Sequence, residues 1–177
     1  MHTMNGRAPQ GSIAALFICP TKGQPMVQVS SVDALVARGF RGDRYCNGTG
    51  SFQKTPGHRQ ATLINSKVFE GTSFNWEDSR RNIILHCDFE VTELIGKFFS
   101  LGPVIFKGKK YCTVCDAHGR VGFREAFFER GGIILEVFRD GEIKVGDSFV
   151  FLGDTYPDPP APPKDPQALL SFSDPRS

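Results

Sequence analysis

The chain has 177 residues, 40% of them apolar, which suits one domain with a single sizeable core. Its 21 basic and 19 acidic residues leave a net charge of +2, too even for a field that would draw the whole molecule onto nucleic acid or an anionic membrane. Apolar runs such as Ala14 to Ile18 fall far short of the roughly 20 residues that cross a bilayer, so no membrane span is expected.

The lead over residues 1–11 is polar and lacks the apolar stretch of a secretory signal, so it reads as a flexible segment of a cytoplasmic protein. Ser12 to Ile18 then predicts a strand, closed by a turn at Pro20 and Gly23, and Met26 to Val29 a second strand. Ser31 to Arg38 carries a Ser cap, an acidic first turn, a basic last turn and Gly39 beyond it, the pattern of a short helix. Cys46 to Gly57 is rich in Gly, Thr, Ser and Asn and predicts a mobile loop rather than a packed element. Gln60 to Ile64 follows as a strand, and Ser66 is placed to cap a short helix through Phe69.

Four further strands are predicted at Asn82 to Leu85, Val104 to Phe106, Gly132 to Phe138 and Ser148 to Leu152, where β-branched or aromatic residues lie between Gly-containing turns. One more helix fits Phe123 to Arg130, with Phe123, Phe127 and Phe128 on one side and Gly131 as its stop. From Asp154 onward, seven prolines in 24 residues predict an extended or disordered tail. The expected architecture is mainly β, a closed or partly open β-barrel-like domain over residues 12–153 with a few short helices and no alternating βαβ units.

Five cysteines, an odd number in a reducing compartment, argue for free thiols rather than a disulfide framework. Cys19, Cys46 and Cys87 read as small buried hydrophobes. Cys112 and Cys115, in Tyr111-Cys112-Thr113-Val114-Cys115-Asp116, lie close enough to share one soft metal or to form a redox pair. A closed zinc site would have to recruit His118, His86 or a distant cysteine, and a thioredoxin-like use would need a βαβ setting. On an extended strand, residues three apart face opposite ways, so only one of the two would face a pocket unless the chain turns. Cys115 is nearer the following loop, where His118 could assist its deprotonation. A second constellation is cationic: Lys22, Arg41, Arg44, Arg59, Arg80 and Arg81 sit at loop and strand boundaries, where guanidinium forks could converge on an anionic ligand.

The order of these pieces resembles the MOSC family, the module named after the C-terminal domain of molybdenum cofactor sulfurase, over Ile13 to Phe151. The matching pieces are Pro20-Thr21-Lys22-Gly23, Gly39-Phe40-Arg41-Gly42-Asp43-Arg44, Arg59-Gln60-Ala61-Thr62-Leu63-Ile64, Arg80-Arg81-Asn82-Ile83 and Leu94-Ile95-Gly96. They continue with Tyr111 to Cys115, Arg130-Gly131-Gly132 and Gly141 to Asp147. The resemblance implies a β-barrel-like fold and a cysteine that binds molybdenum of the molybdenum cofactor (molybdopterin) or carries sulfur. It implies Cys115 as that thiolate and metal ligand, with Cys112 as the alternative, and neighbouring arginines that would stabilise the anion. By matched position it makes Lys22, Arg44, Arg80 and Arg81 cofactor-binding candidates, with Asn82 standing behind them.

Members that reduce substrates show one cysteine here and an additional N-terminal subdomain. The paired cysteines of this chain therefore leave reductase, sulfurtransferase and non-catalytic delivery module all open. The partners implied are a small-molecule cofactor or sulfur donor and a cysteine desulfurase or redox protein. Pyridoxal phosphate is associated with the family through sulfurases whose separate domain carries the Schiff-base lysine, and that domain is not expected in this sequence.

Overall fold

The computed structural model describes residues 2–51, 58–116 and 120–157. In chain order it has strands β1 (Gly11–Ile18), β2 (Val27–Val29), β3 (Ser31–Leu35), β4 (Gly39–Phe40), β5 (Ala61–Asn65) and β6 (Ile83–Cys87). These are followed by β7 (Phe98–Leu101), β8 (Val104–Tyr111), the short helix α1 (Phe123–Ala126), β9 (Ile133–Arg139), β10 (Gly141–Lys144) and β11 (Phe149–Gly153). Three 3₁₀ turns, Ser66–Phe69, Trp76–Ser79 and Val91–Leu94, provide the remaining helical content among the described residues. The mainly β expectation holds.

Eight strands form one mixed sheet in the order β11-β7-β8-β9-β5-β6-β1-β2, and β10, β3 and β4 form a smaller one. The large sheet curls until β1 approaches the start of β11: Ser12 bridges Ser148, and Ile13 N donates to Asp147 O at 3.0 Å. That contact makes the sheet barrel-like without a closed ladder. All pairings within the large sheet are antiparallel except β5 with β6, whose crossover contains the first two 3₁₀ turns.

The central strands are buried on both faces, which explains their continuous apolar runs. Inside the curl lie Ile13, Leu16, Leu63, Leu85, Phe99, Phe106, Leu135 and Phe149. On the other face Phe17, Ile64 and Ile84 pack with Phe69, Phe123 and Phe127 beneath α1. A bulge between Ile13 and Ala15 lets both Ile13 and Leu16 point inward although they are three apart. The Phe123 and Phe127 rings stack at 4.2 Å, so the short helix is held mainly by the aromatic cluster it covers.

Several expectations are corrected. Residues 31–38 are not a helix: Val32 and Ala34 are buried and Asp33 exposed, a period of two, and β3 pairs with β10 and β4. Here the long-range ladder outweighs the local start and stop signals. The second predicted helix ends early, because α1 stops at Ala126, Glu129 takes φ 58°, and Phe128 turns outward, 66% exposed. The described part of the predicted mobile loop, residues 46–51, is a hydrogen-bonded turn. Cys46 is buried there, and the Thr49 and Gly50 amides donate to Arg44 O at 2.9 and 3.1 Å. Asn65, not Ser66, caps the turn after β5 by accepting from Lys67 N. Strands β4, β7 and β10 have no counterpart among the predicted strands. Residues 158–177, most of the predicted tail, lie outside the described residues; ahead of them Tyr156 packs on the Phe98 and Phe138 rings.

Gly39, read from the sequence as a helix stop, instead lies in β4 with φ 102°, where a Cβ would come within 2.1 Å of Gln60 O. Both the backbone conformation and the clash oppose any side chain. Gly39→Ala is therefore expected to lower unfolding free energy by more than ~2 kcal/mol in urea titration, above the median for point substitutions.

Candidate functional site

Antiparallel pairing of Leu16 with Ile83 sets the end of β1 beside the start of β6. Three turns meet there: the segment after β1, the turn after β4 and the approach to β6. The carboxylate of Asp43, fully buried, joins them. Asp43 Oδ2 accepts from Cys19 N at 2.8 Å, Asn82 Nδ2 at 3.1 Å and Arg44 Nη1 at 3.3 Å, and Oδ1 accepts from Tyr45 N at 2.9 Å. Four donors on two oxygens are what a buried carboxylate needs to remain where it is. Arg44 is almost as buried, donating also to Tyr45 Oη at 3.2 Å.

Asn82 completes the framework from behind. Its Nδ2 also donates to Phe17 O at 3.1 Å, and its Oδ1 accepts from the Thr62 amide and hydroxyl, both at 3.1 Å. Arg81 ties in the cysteine segment: Nε donates to Gly131 O at 2.7 Å and Nη2 to Cys112 O at 3.1 Å. Its neighbour Arg80 adopts φ 56°, an uncommon conformation outside glycine. From there Nη1 reaches Gln24 O at 2.9 Å and Nη2 the Cys19 sulfur at 3.4 Å.

These pieces enclose a cleft of about 360 Å³ lined in part by Lys22, Arg44, Arg80 and Arg81 and by both Cys112 and Cys115. The structure thus brings together six of the seven site residues singled out from the sequence, while Asn82 supports the wall without lining it. Arg41 points elsewhere, to an exposed pair with Asp33. Arg59, noted in the sequence among the boundary cations, also lines the cleft, as do Tyr45, Ser51 and Arg120. Arg120 was missed because its sequence neighbourhood shows no cationic pattern, although it lies only five residues beyond Cys115.

The two cysteines differ. After β8 the chain runs on with Cys112 buried, Thr113 exposed, Val114 buried and Cys115 exposed. Arg120 Nη2 lies 3.5 Å from the Cys115 sulfur, Nη1 donates to Asp78 O at 2.8 Å, and the guanidinium sits 4.6 Å from the Phe123 ring centre. Burial holds the Arg120 pKa below the usual arginine value; Cys115 acts the other way, and the nearby Arg81 and Arg80 charges add to the lowering. His118 lies outside the described residues, and His86 instead bonds Ser66 Oγ at 3.0 Å. Among the described residues no group of three His, Cys, Asp or Glu side chains could hold a metal, so a closed zinc site has no donor set there. Nor is any helix among them long and apolar enough to cross a membrane.

No sequence-family profile matches the chain, and no curated protein sequence does either. Solved structures do. The YuaD protein of Bacillus subtilis aligns over 79% of this chain and 94% of its own, with TM-score 0.68 and 16% identity. YiiM of Geobacillus stearothermophilus aligns over 80% and 75%, with TM-score 0.57 and 14% identity. YiiM of Escherichia coli aligns over 82% and 69%, with TM-score 0.55 and 12% identity. The chain shares the fold of these proteins.

Removing the Asp43 carboxylate strands the buried Arg44 charge. Asp43→Ala is expected to cost about 3–5 kcal/mol of stability in thermal or urea unfolding. Thiol labelling should separate the cysteines: near pH 8, native protein is expected to lose only the Cys115 thiol rapidly to iodoacetamide. Burial pushes the Cys87 thiol up to about 12, so it stays protonated far above neutrality. The stabilisation from keeping Cys87 neutral is therefore whole below 9.0 and fades as pH rises toward 12. Peptide mapping after a short pulse checks the labelling, and rapid modification of a second site would contradict the assigned burial.

Proposed function

We propose that the chain is a MOSC-domain protein that binds the molybdenum cofactor or carries sulfur on Cys115. The observation that carries the reading is an exposed thiol in a cleft lined by Lys22, Arg44, Arg59, Arg80, Arg81 and Arg120 and, among the described residues, by no carboxylate side chain. Two further lines support it: the ordered family motifs, and a fold shared with YuaD and YiiM, which are MOSC-domain proteins.

The residues present fit such a group. A soft thiolate suits molybdenum, guanidinium forks suit phosphate oxygens, and about 360 Å³ lies within the range of small-molecule sites. Cys115 would be the metal ligand. Lys22, in the turn after β1, and Arg80, which bonds that turn at Gln24 O from the approach to β6, would hold the phosphate. Arg44 and Arg81 would act differently: the Arg44 charge is balanced by Asp43, whereas Arg81, fixed on backbone carbonyls, would contribute charge from the wall more than movable donors. When bound, the cofactor would supply two-electron redox chemistry. As a sulfur carrier, Cys115 would instead hold a persulfide, with Arg120 donating to the sulfur.

Catalysis and delivery differ in the step after loading. Holoprotein that turns over N-hydroxylated compounds would be a reductase, whereas protein that only passes cofactor or sulfur to a desulfurase-linked or redox partner would be a cytoplasmic delivery module. Anaerobic purification followed by molybdenum, pterin and persulfide analysis tests the shared premise. Cys115→Ser is expected to lower bound molybdenum or persulfide about ten-fold or more, as loss of a direct ligand should exceed loss of a supporting contact. Cys112→Ser, at equal folding, should retain both. Loss confined to Cys112→Ser would reverse the assignment.

A further inference from the structure

The charge of the cleft goes beyond what one thiol needs, and it narrows the chemistry of whatever meets Cys115. Arg80 and Arg81 donate to carbonyls and, in one case, to a thiol, partners that cancel none of their positive charge. Asp43, enclosed beneath this wall, is bonded by four donors, none of them from Arg80, Arg81 or Arg120, and Glu77 and Asp78 lie in the neighbouring cavity rather than in the cleft. Crowding of like charges is costly, and an anion in the cleft would relieve it. Arg120 is the cation best placed to act on a sulfur reagent. Its Nη1 is anchored on Asp78 O and its plane is packed on Phe123, so Nη2 is held at the Cys115 sulfur rather than swinging freely.

We infer that Cys115 takes its sulfur from thiosulfate, a small dianion with a transferable terminal sulfur, oriented by Arg120 with Arg80 and Lys22. The inference rests on the sulfur-carrying reading of the same site and names its donor. The anion's oxygens accept from the guanidinium forks, which leaves its terminal sulfur facing the thiol. The Cys115 thiolate, its proton lost to solvent, attacks that terminal sulfur. A sulfur–sulfur bond forms from the thiolate's electron pair, and the bond to the sulfonate sulfur breaks. Its electron pair leaves with sulfite. The thiolate and thiosulfate together carry three negative charges, as do the persulfide anion and sulfite, and no other oxidant or reductant takes part. The cations that bind the donor also stabilise the departing dianion. Neutral donors would gain nothing from this arrangement.

The test loads the purified, reduced full chain with either thiosulfate or inorganic polysulfide and follows intact mass, the Cys115 peptide and released sulfite. The expected result is saturable addition of one sulfur atom to Cys115 by thiosulfate, with an equal amount of sulfite and none in Cys115→Ser. Arg120→Gln should raise the half-saturating thiosulfate concentration about ten-fold or more, the effect of losing one hydrogen bond to a charged group, while Cys115 still loads from excess polysulfide. Arg120→Lys should recover part of the loss, and added salt should weaken thiosulfate loading. If polysulfide loads Cys115 and thiosulfate does not, the donor is wrong and the carrier reading stands. If neither loads it, both fall. Equal thiosulfate saturation in wild type and Arg120→Gln would also overturn the proposal.

Discussion

A carboxylate taken out of water survives only if its oxygens are met by donors, and Asp43 is met by four from three separate segments. The rest of the cleft depends on this. Cys19 brings the end of β1, Asn82 the start of β6, and Arg44 with Tyr45 the turn after β4. Each segment would otherwise be a surface turn free to move apart from the others. The charge of Asp43 also allows Arg44 to be buried, which places a guanidinium within the wall instead of on the surface. The site is therefore built from the protein interior outward, with polar groups that the fold requires for its own integrity.

The arginines then divide by what they touch. Arg81 is occupied with carbonyls of residues 79, 112 and 131, so its role is to fasten the cysteine segment to the start of β6. Arg80, next in sequence, is turned outward by its left-handed backbone and lines the cleft. Arg120 reaches the same space from just beyond the cysteine segment, carried by the aromatic cluster under α1. Adjacent residues thus take opposite roles and distant ones converge.

The cysteine pair shows the same logic. Alternation after β8 buries Cys112 and exposes Cys115, and the close packing of Gly131, whose added Cβ would meet Val114 at 2.3 Å, keeps that segment pressed against the sheet. Period-two geometry continues past the end of the hydrogen-bonded ladder. It decides which thiol solvent and reagents can reach.

Much of this was legible without coordinates. The strands around Ile13, Leu63, Ile83 and Leu135 are apolar and β-branched over a few residues between turn signals, and that local pattern is enough to define them. The cationic boundary residues Lys22, Arg44, Arg80 and Arg81, and the Cys112 and Cys115 pair, were also visible, because polar groups at element ends are conspicuous in a chain of short strands. What tertiary structure alone decided is non-local. Residues 31–35 carry helix punctuation, yet they pair with β10 over a hundred residues away, and burial of Val32 and Ala34 on one face outweighs weak local preference. No local pattern marks Arg120 as a neighbour of Cys115, since that contact depends on Phe123 docking in its cluster and on the Asp78 carbonyl lying opposite. Sequence by itself singled out most of the side chains that line the cleft; the long-range pairing of the sheet decided which of them meet, because proximity across a curled sheet depends on register between strands that are far apart in the chain.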